Sequence, residues 1–305
     1  MSRPPGATES GLRLAAVDVG SNALRLLFSQ VLEEKGKPVF RKASLIRMPL
    51  RLGTEAFVGH RLEADTVERL VQSILAFRLL LEAWRPVAWR ACATAALRSV
   101  ENGSEILARI RREAGLELEI ISGRREAELL LRNQPQDWHP ESEAYLYVDV
   151  GGGSTETTLL HGGAVRASRS WPLGTVRLLA GEEDPRVWAD LARWLAEACA
   201  HLNPVCVGSG GNVNKLASLL KQDETEPISA GQFRRMLDKV APLTVEERVL
   251  RLGLRPDRAD VFPHALRIYL ACMEAASARI MLAPRLGLAD ALVREAWQEW
   301  AGPGA

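Results

Sequence analysis

Cysteine is scarce: Cys92, Cys199, Cys206 and Cys272 are the four in 305 residues, and no two form a C-x-x-C pair. That spacing argues against a disulfide framework or a zinc site and fits a reducing compartment. A dominant charge sign is also missing. Lys and Arg number 39 against 38 Asp and Glu, a formal net charge of +1. No global basic field marks the chain as a nucleic-acid binder, so selectivity for an anion has to come from local placement. No apolar run approaches the roughly 20 residues of a membrane-spanning helix, and no secretory apolar segment precedes Leu12. The expectation is a cytoplasmic protein with no membrane or nucleic-acid partner. Aromatic residues make up 6%. Trp188, Trp194, Trp297 and Trp300 fall on expected helices, where packing is the ordinary use of the ring. Cys199, His201 and Cys206 read as a helix end running into a strand rather than as a metal site.

What is present is a large apolar complement, 47% of the chain, enough for two domains. Residues 1–11 read as a disordered lead-in, 12–130 as a first domain, and 131–305 as a second with a helical C-terminal segment whose last helix is available to pack back on the first. The first domain opens as an antiparallel meander: LRLAAVDVG, ALRLLFSQV and KPVFRKASLIRM. A helix follows, with Asp65 as N-cap, Glu68 three residues on, and Val67, Leu70, Val71, Ile74, Leu75 and Leu79 at helical spacing. Then come a strand at 87–94, a helix closed by Gly115, the strand LELEIIS and a helix from Arg124 to Leu131. From Ala144 the pattern restarts as strand, glycine turn, strand, turn, strand. A helix at about 185–202, the strand PVCVG and the helix NVNKLASLL follow. Further helices are expected at 229–240, 244–252, 258–282 and 287–300, with Pro263 near a start and Pro284 at a break.

The restart is an internal echo. VDVGSN at 17–22 and VDVGGGS at 148–154 share an apolar-Asp-apolar-Gly core, each followed by a similar strand. Two copies suggest a duplicated fold whose halves face each other across a cleft. Glycines in a row need a reason, because glycine weakens regular structure. A phosphate held by converging N–H groups is the best one. Asp149, just before the turn, then fits as a ligand of a hard cation rather than of the phosphate itself.

In combination and order, VDVGSNALRLL, ATAALRSVEN, EIISGRREAELL, VDVGGGSTE and GSGGNVNKLASL closely resemble the exopolyphosphatase/guanosine pentaphosphate phosphohydrolase (Ppx/GppA) family. The likeness runs from about Leu12 to about Trp300, and RADVFPHAL and LGLADALV also look like family segments. This family belongs to the actin–Hsp70–sugar kinase (ASKHA) superfamily. The resemblance implies an α/β fold of two ribonuclease-H-like, actin-like domains with the active site in an interdomain cleft. It also implies Mg²⁺-dependent hydrolysis of a terminal phosphoryl group, with Mn²⁺ able to stand in. Longer members carry extra helical domains after this core; the likeness here is to a short form, for which short polyphosphates or nucleotides are the expected substrates.

The resemblance also distributes roles. Glu126 takes the place of the glutamate that activates water, and Arg98 that of an arginine matched to phosphoryl oxygens. Asp149, Glu156 and, through water, Asp18 are the metal candidates. The phosphate cradle is expected from Gly20, Ser21, Asn22, Gly151, Gly152, Gly153, Gly208, Ser209, Gly210 and Gly211, with contacts from Arg25, Thr94, Ser154 and Thr155. Arg25, Arg47, Arg51 and Lys215 are candidates to line the path of a longer anion, though a solvated surface charge is the ordinary reading of each. Three positions depart from the family pattern: Arg125 where a second acid is common, Ala23 where serine is usual, and Asn212 where threonine is frequent. The leading expectation is an exopolyphosphatase. Its alternatives are a guanosine pentaphosphate phosphohydrolase, a phosphotransferase of the same superfamily, and a non-catalytic polyphosphate or nucleotide sensor, which the Arg125 departure keeps open. ATP or ADP binding and a homodimer complete the expected partners.

Overall fold

The computed structural model describes residues 7–8, 11–133 and 142–302. Most of the expected lead-in lies outside them; Ala7–Thr8 form a short strand, β1, paired antiparallel with Gly11 and Leu12. The chain divides into two compact units, Met1–Ser122 with Leu288–Ala305, and Gly123–Gly287.

In the first unit β2 (Gly11–Val19), β3 (Leu24–Glu34) and β4 (Lys37–Met48) form the antiparallel meander. β5 (Ala88–Ala93) runs parallel to β2, and β6 (Glu119–Ile120) parallel to β5. The order is β4-β3-β2-β5-β6. The central place of β2 follows from its sequence: every residue from Leu14 to Val19 is buried, and a near-continuous apolar run suits a strand covered on both faces. Leu288–Ala301, the last helix, packs on β2 and β5 within this unit.

The helix Ala64–Trp84 corrects two expectations. Its N-cap is Glu63, without a side-chain cap. Asp65 sits inside the first turn, where a carboxylate is favoured by the helix dipole alone. Glu68 does not reach back to the N-terminus; it pairs with Arg109 of the helix Gly103–Ala114. Leu75 and Leu79 are exposed, and Phe77 and Leu81 are buried in their stead, so the buried stripe runs slightly differently round the helix. Gly115 closes Gly103–Ala114 in a left-handed conformation, as expected.

The second unit repeats the plan. β7 (Ala144–Val150), β8 (Thr155–His161) and β9 (Ala164–Trp171) are antiparallel. β10 (Val205–Ser209) is parallel to β7, and the sheet ends with β11 (Ile228–Ser229) and β12 (Ile280–Leu282) in the order β11-β12-β10-β7-β8-β9. Numbered from its own first long strand, the first unit reads 3-2-1-4-5 and the second 3-2-1-4-6-5, so the two share a 3-2-1-4 core, the ribonuclease-H-like α/β arrangement expected for the duplicated fold. The long helix expected at 258–282 is instead Pro256–Ala259, Phe262–Ala275 and then β12. Ser277, with φ +54°, breaks the helix, and the three-residue apolar run Ile280–Leu282 is too short for periodicity to tell strand from helix. The core of this unit gathers Leu146, Val148, Cys206, Val213, Phe233, Phe262, Tyr269 and Met281. All four cysteines are buried and unbridged. No helix among the described residues is long and apolar enough to cross a membrane.

Candidate active site

The second sheet carries a polar row at the end of its central strands. Register places Ser170 of β9 opposite Glu156 of β8, Glu156 opposite Asp149 of β7, and Asp149 beside Ser209 of β10. The outer hydroxyls serve the inner carboxylates: Ser170 Oγ donates to Glu156 Oε1 at 2.8 Å, and Ser209 Oγ donates to Asp149 Oδ1. Over this row lies the helix Gly123–Leu130, which buries Ala127, Leu129 and Leu130 and brings in Glu126. One carboxylate oxygen from each of Glu126, Asp149 and Glu156 falls within 4.8 Å of the others, with Glu126 and Glu156 buried and Asp149 partly so.

Close approach of the helix depends on Gly123. A Cβ there would lie 2.6 Å from Ser170 Oγ, 2.8 Å from Ser170 Cβ and 3.5 Å from Glu156 Oε1. The helix start is therefore seated on the same serine that holds Glu156. Like charges facing across a sheet repel, and three carboxylates this close favour a cation between them.

Beside the row, the turn Gly151–Ser154 is braced by its carbonyls. Gly151 O accepts from Thr175 N at 3.0 Å; Gly152 O accepts from Val176 N and Arg177 N at 2.8 and 3.1 Å. Gly153 O accepts from Arg177 Nε at 3.2 Å. Burial lowers the proton affinity of that guanidinium. Gly174 makes the bracing possible: a Cβ on it would sit 2.4 Å from Gly152 O and from Gly153 C. With the carbonyls engaged on one side, the N–H groups of Gly152, Gly153 and Ser154 have no acceptor among the described residues. Thr155 is fully buried, and its hydroxyl donates to Leu173 O at 2.6 Å. The second small-residue loop, Gly208–Gly211, leads into the helix Gly211–Leu220 with Gly210 at φ +99° as N-cap. The first N–H groups of that helix face outward from its end, as at every helix N-terminus.

The first unit holds the matching residues of its own sheet. Asp18 on β2 is the counterpart of Asp149, but its cross-strand partner is Arg25 on β3, which donates to it at 2.6 Å. The same register that opposes two acids in one unit thus opposes an acid and a base in the other. Gly20 N donates to Ala23 O at 3.2 Å, and Ser21 O and Asn22 O accept from Gly53 N and Arg51 N. Thr94 precedes the helix Ala95–Ser99, and Arg98 Nη1 of that helix donates to Ile121 O at 2.6 Å.

Of the residues singled out in the sequence, Glu126, Asp149, Glu156 and Ser209 come together in one place. Asp18, Gly20, Ser21, Asn22, Arg25, Thr94 and Arg98 gather at the strand ends of the first unit. Ser170, Gly123, Gly174 and Tyr269 escaped sequence reasoning. Gly123 stood in a recognised motif, and its glycine was a usable signal. Ser170 and Tyr269 acquire their roles only through strand register and long-range packing.

Comparison with known proteins agrees with this arrangement. The model of the Ppx/GppA phosphatase family matches residues 31–295, a span that takes in all three carboxylates. The solved PPX-GPPA enzyme of Aquifex aeolicus is 26% identical with a TM-score of 0.72, covering 93% of this chain and 99% of its own. An exopolyphosphatase from Cytophaga hutchinsonii shares the fold with a TM-score of 0.77 at 22% identity, over 92% of this chain and 96% of that one. With the family's span covering most of the sequence and its acidic cluster assembled on the repeated sheet, the chain belongs to the Ppx/GppA phosphatase family and is a phosphoanhydride hydrolase.

Proposed function

We propose that the protein is an exopolyphosphatase, removing the terminal phosphate of inorganic polyphosphate by in-line attack of water with Glu126 as general base. The observation that carries this is the meeting of Glu126 with the Asp149–Glu156 cross-strand pair beside a turn whose N–H groups have no acceptor among the described residues. The donor set suits a hard divalent cation, Mg²⁺ or Mn²⁺: all oxygen, closely spaced, and held by hydroxyls on both flanks. Such an ion, when bound, supplies positive charge to phosphoryl oxygens.

The remaining work belongs to the chain. Asp149 and Glu156 hold the cation, with Ser209 and Ser170 fixing the rotation of each carboxylate. Glu126 orients a water and takes its proton as the bond to phosphorus forms. The N–H groups of Gly152, Gly153 and Ser154 hold phosphoryl oxygens, and those of Gly210 and Gly211 extend the cradle with the dipole of the helix Gly211–Leu220 behind them. Catalysis on this account is positioning and charge stabilisation. The resemblance assigns further contacts to Arg98, Arg25, Thr94, Thr155, Gly208 and the turn Gly20–Asn22, and a water-mediated metal contact to Asp18.

The test is phosphate release in Mg²⁺ from tripolyphosphate, long-chain polyphosphate and guanosine pentaphosphate. Release from the polyphosphates at the higher kcat/KM is expected. Release from guanosine pentaphosphate alone would replace the reading with nucleotide hydrolysis. Binding of all three without release would make the protein a sensor.

A further inference from the structure

Behind the carboxylate row stands a fully buried phenol. Tyr269, on the helix Phe262–Ala275, has 0% of its surface exposed and packs its ring 6.0 Å from that of Phe233. Its hydroxyl donates to the carbonyl oxygen of Ser209, and a backbone hydrogen bond with Val150 also bears on it. It therefore meets the ends of two parallel strands, β7 and β10, where Asp149 and Ser209 are in register.

Everything converges on Gly210. A Cβ at that position would be 3.4 Å from the Tyr269 hydroxyl, 3.4 Å from Asp149 Oδ1 and 3.4 Å from Val150 O. The φ of +99° that Gly210 adopts is one that side-chain-bearing residues rarely take. The Ser209–Gly210 peptide is thus gripped by the phenol at the Ser209 carbonyl, while the Ser209 hydroxyl reaches forward to Asp149. Burial, and then the nearby Asp149 charge, push the phenol's pKa well above its usual value, so it stays a neutral donor throughout the working pH range.

A buried hydroxyl needs a partner, and a carbonyl would satisfy it anywhere in the core. This one is spent on the peptide whose side chain holds Asp149. We infer that Tyr269 is a positioning residue: by clamping the Ser209–Gly210 peptide it fixes the Ser209 hydroxyl on Asp149, and with it the direction in which that carboxylate meets Glu126 and Glu156. The inference rests on the functional reading of the carboxylate cluster. It goes beyond that reading by assigning part of the cation affinity to a residue that touches neither cation nor substrate.

Calorimetric titration with Mn²⁺ tests it on the full chain, using wild type, Tyr269→Phe, Ser209→Ala and the double variant. Tyr269→Phe keeps the ring against Phe233 and removes one oxygen. It is expected to weaken Mn²⁺ binding about tenfold, the usual scale for a group that orients a ligand. Because the same peptide carries the Gly210 N–H of the cradle, the KM for polyphosphate at saturating metal should rise as well. The double variant should bind no more weakly than the weaker single, since both act through one carboxylate. A Tyr269→Phe protein with lowered melting temperature and wild-type Mn²⁺ affinity overturns the inference and leaves the functional reading standing. Wild-type protein that binds no Mn²⁺ overturns both. If Tyr269→Phe fails to fold, Ser209→Ala decides: unchanged affinity in that variant also overturns the proposal.

Discussion

At the scale of residues, the site depends on side chains that are absent as much as on those present. Gly123 begins a helix, where alanine would ordinarily gain about 1 kcal/mol. The Cβ would, however, press on Ser170 at 2.6–2.8 Å, and overpacking of that kind costs about 1–3 kcal/mol. Gly123→Ala is therefore expected to lower phosphate release and Mn²⁺ affinity together. A steady-state assay with a metal titration on this variant checks it. Gly174→Ala should be worse, because its Cβ meets backbone at 2.4 Å and backbone cannot rotate away; a fall in melting temperature with loss of phosphate release is the expected result. Asp149, Glu156 and Glu126 were legible as candidates because the VDVG echo and the ISGRREA motif mark them. Ser170 was not. A serine in an exposed edge strand carries no signal until register sets it opposite Glu156.

At the scale of elements, legibility follows length and local chemistry. β4 spans Lys37–Met48 as the sequence predicted, since twelve residues of patterned strand outweigh any competing signal. β11 and β12, of two and three residues, have no period to read and were absorbed into helices or loops. End signals varied in the same way. Asp65 looked like a cap but lies inside its helix, whereas Ser229 and Thr244 make complete capping boxes with Gln232 and Glu247. The helix Ala230–Val240 packs on Phe262–Ala275, but its cap Ser229 sits on the edge strand β11, three strands along the sheet from Asp149 on β7. Ser229→Ala is therefore expected to cost about 1 kcal/mol in urea unfolding and to leave kcat/KM unchanged. A matching loss of activity would show that this helix bears on the site.

At the scale of the whole molecule, the duplication of the fold, seen as a 3-2-1-4 strand core in both units, is the largest feature the sequence disclosed. It was readable because the same apolar-Asp-apolar-Gly strand opens both units. Duplication also explains the chemistry of one unit by contrast with the other. Asp18 and Asp149 occupy equivalent places, yet the first faces Arg25 and is neutralised, while the second faces Glu156 and favours a cation. Stability as a function of pH is a property of the entire chain, and His264 contributes a separable part of it. Burial lowers its pKa, aided by Arg267 and Arg248 and opposed by Glu183 and Asp260. The folded protein therefore takes up this proton at lower pH than the unfolded chain, whose histidine titrates near about 6.5. Stability from this group is complete above that value and is lost as pH falls through the folded pKa. Melting temperature should decline as pH falls below about 6.5, and His264→Gln should flatten that decline.

The account's central claim is that Glu126 acts on water while Asp149 and Glu156 hold the cation. Single-turnover phosphate release from polyphosphate by Glu126→Gln, with Mn²⁺ affinity measured on the same protein, tests it most directly. The prediction is a loss of about 10²–10⁴-fold in rate with metal and polyphosphate still bound. A Glu126→Gln protein that releases phosphate at the wild-type rate would contradict it.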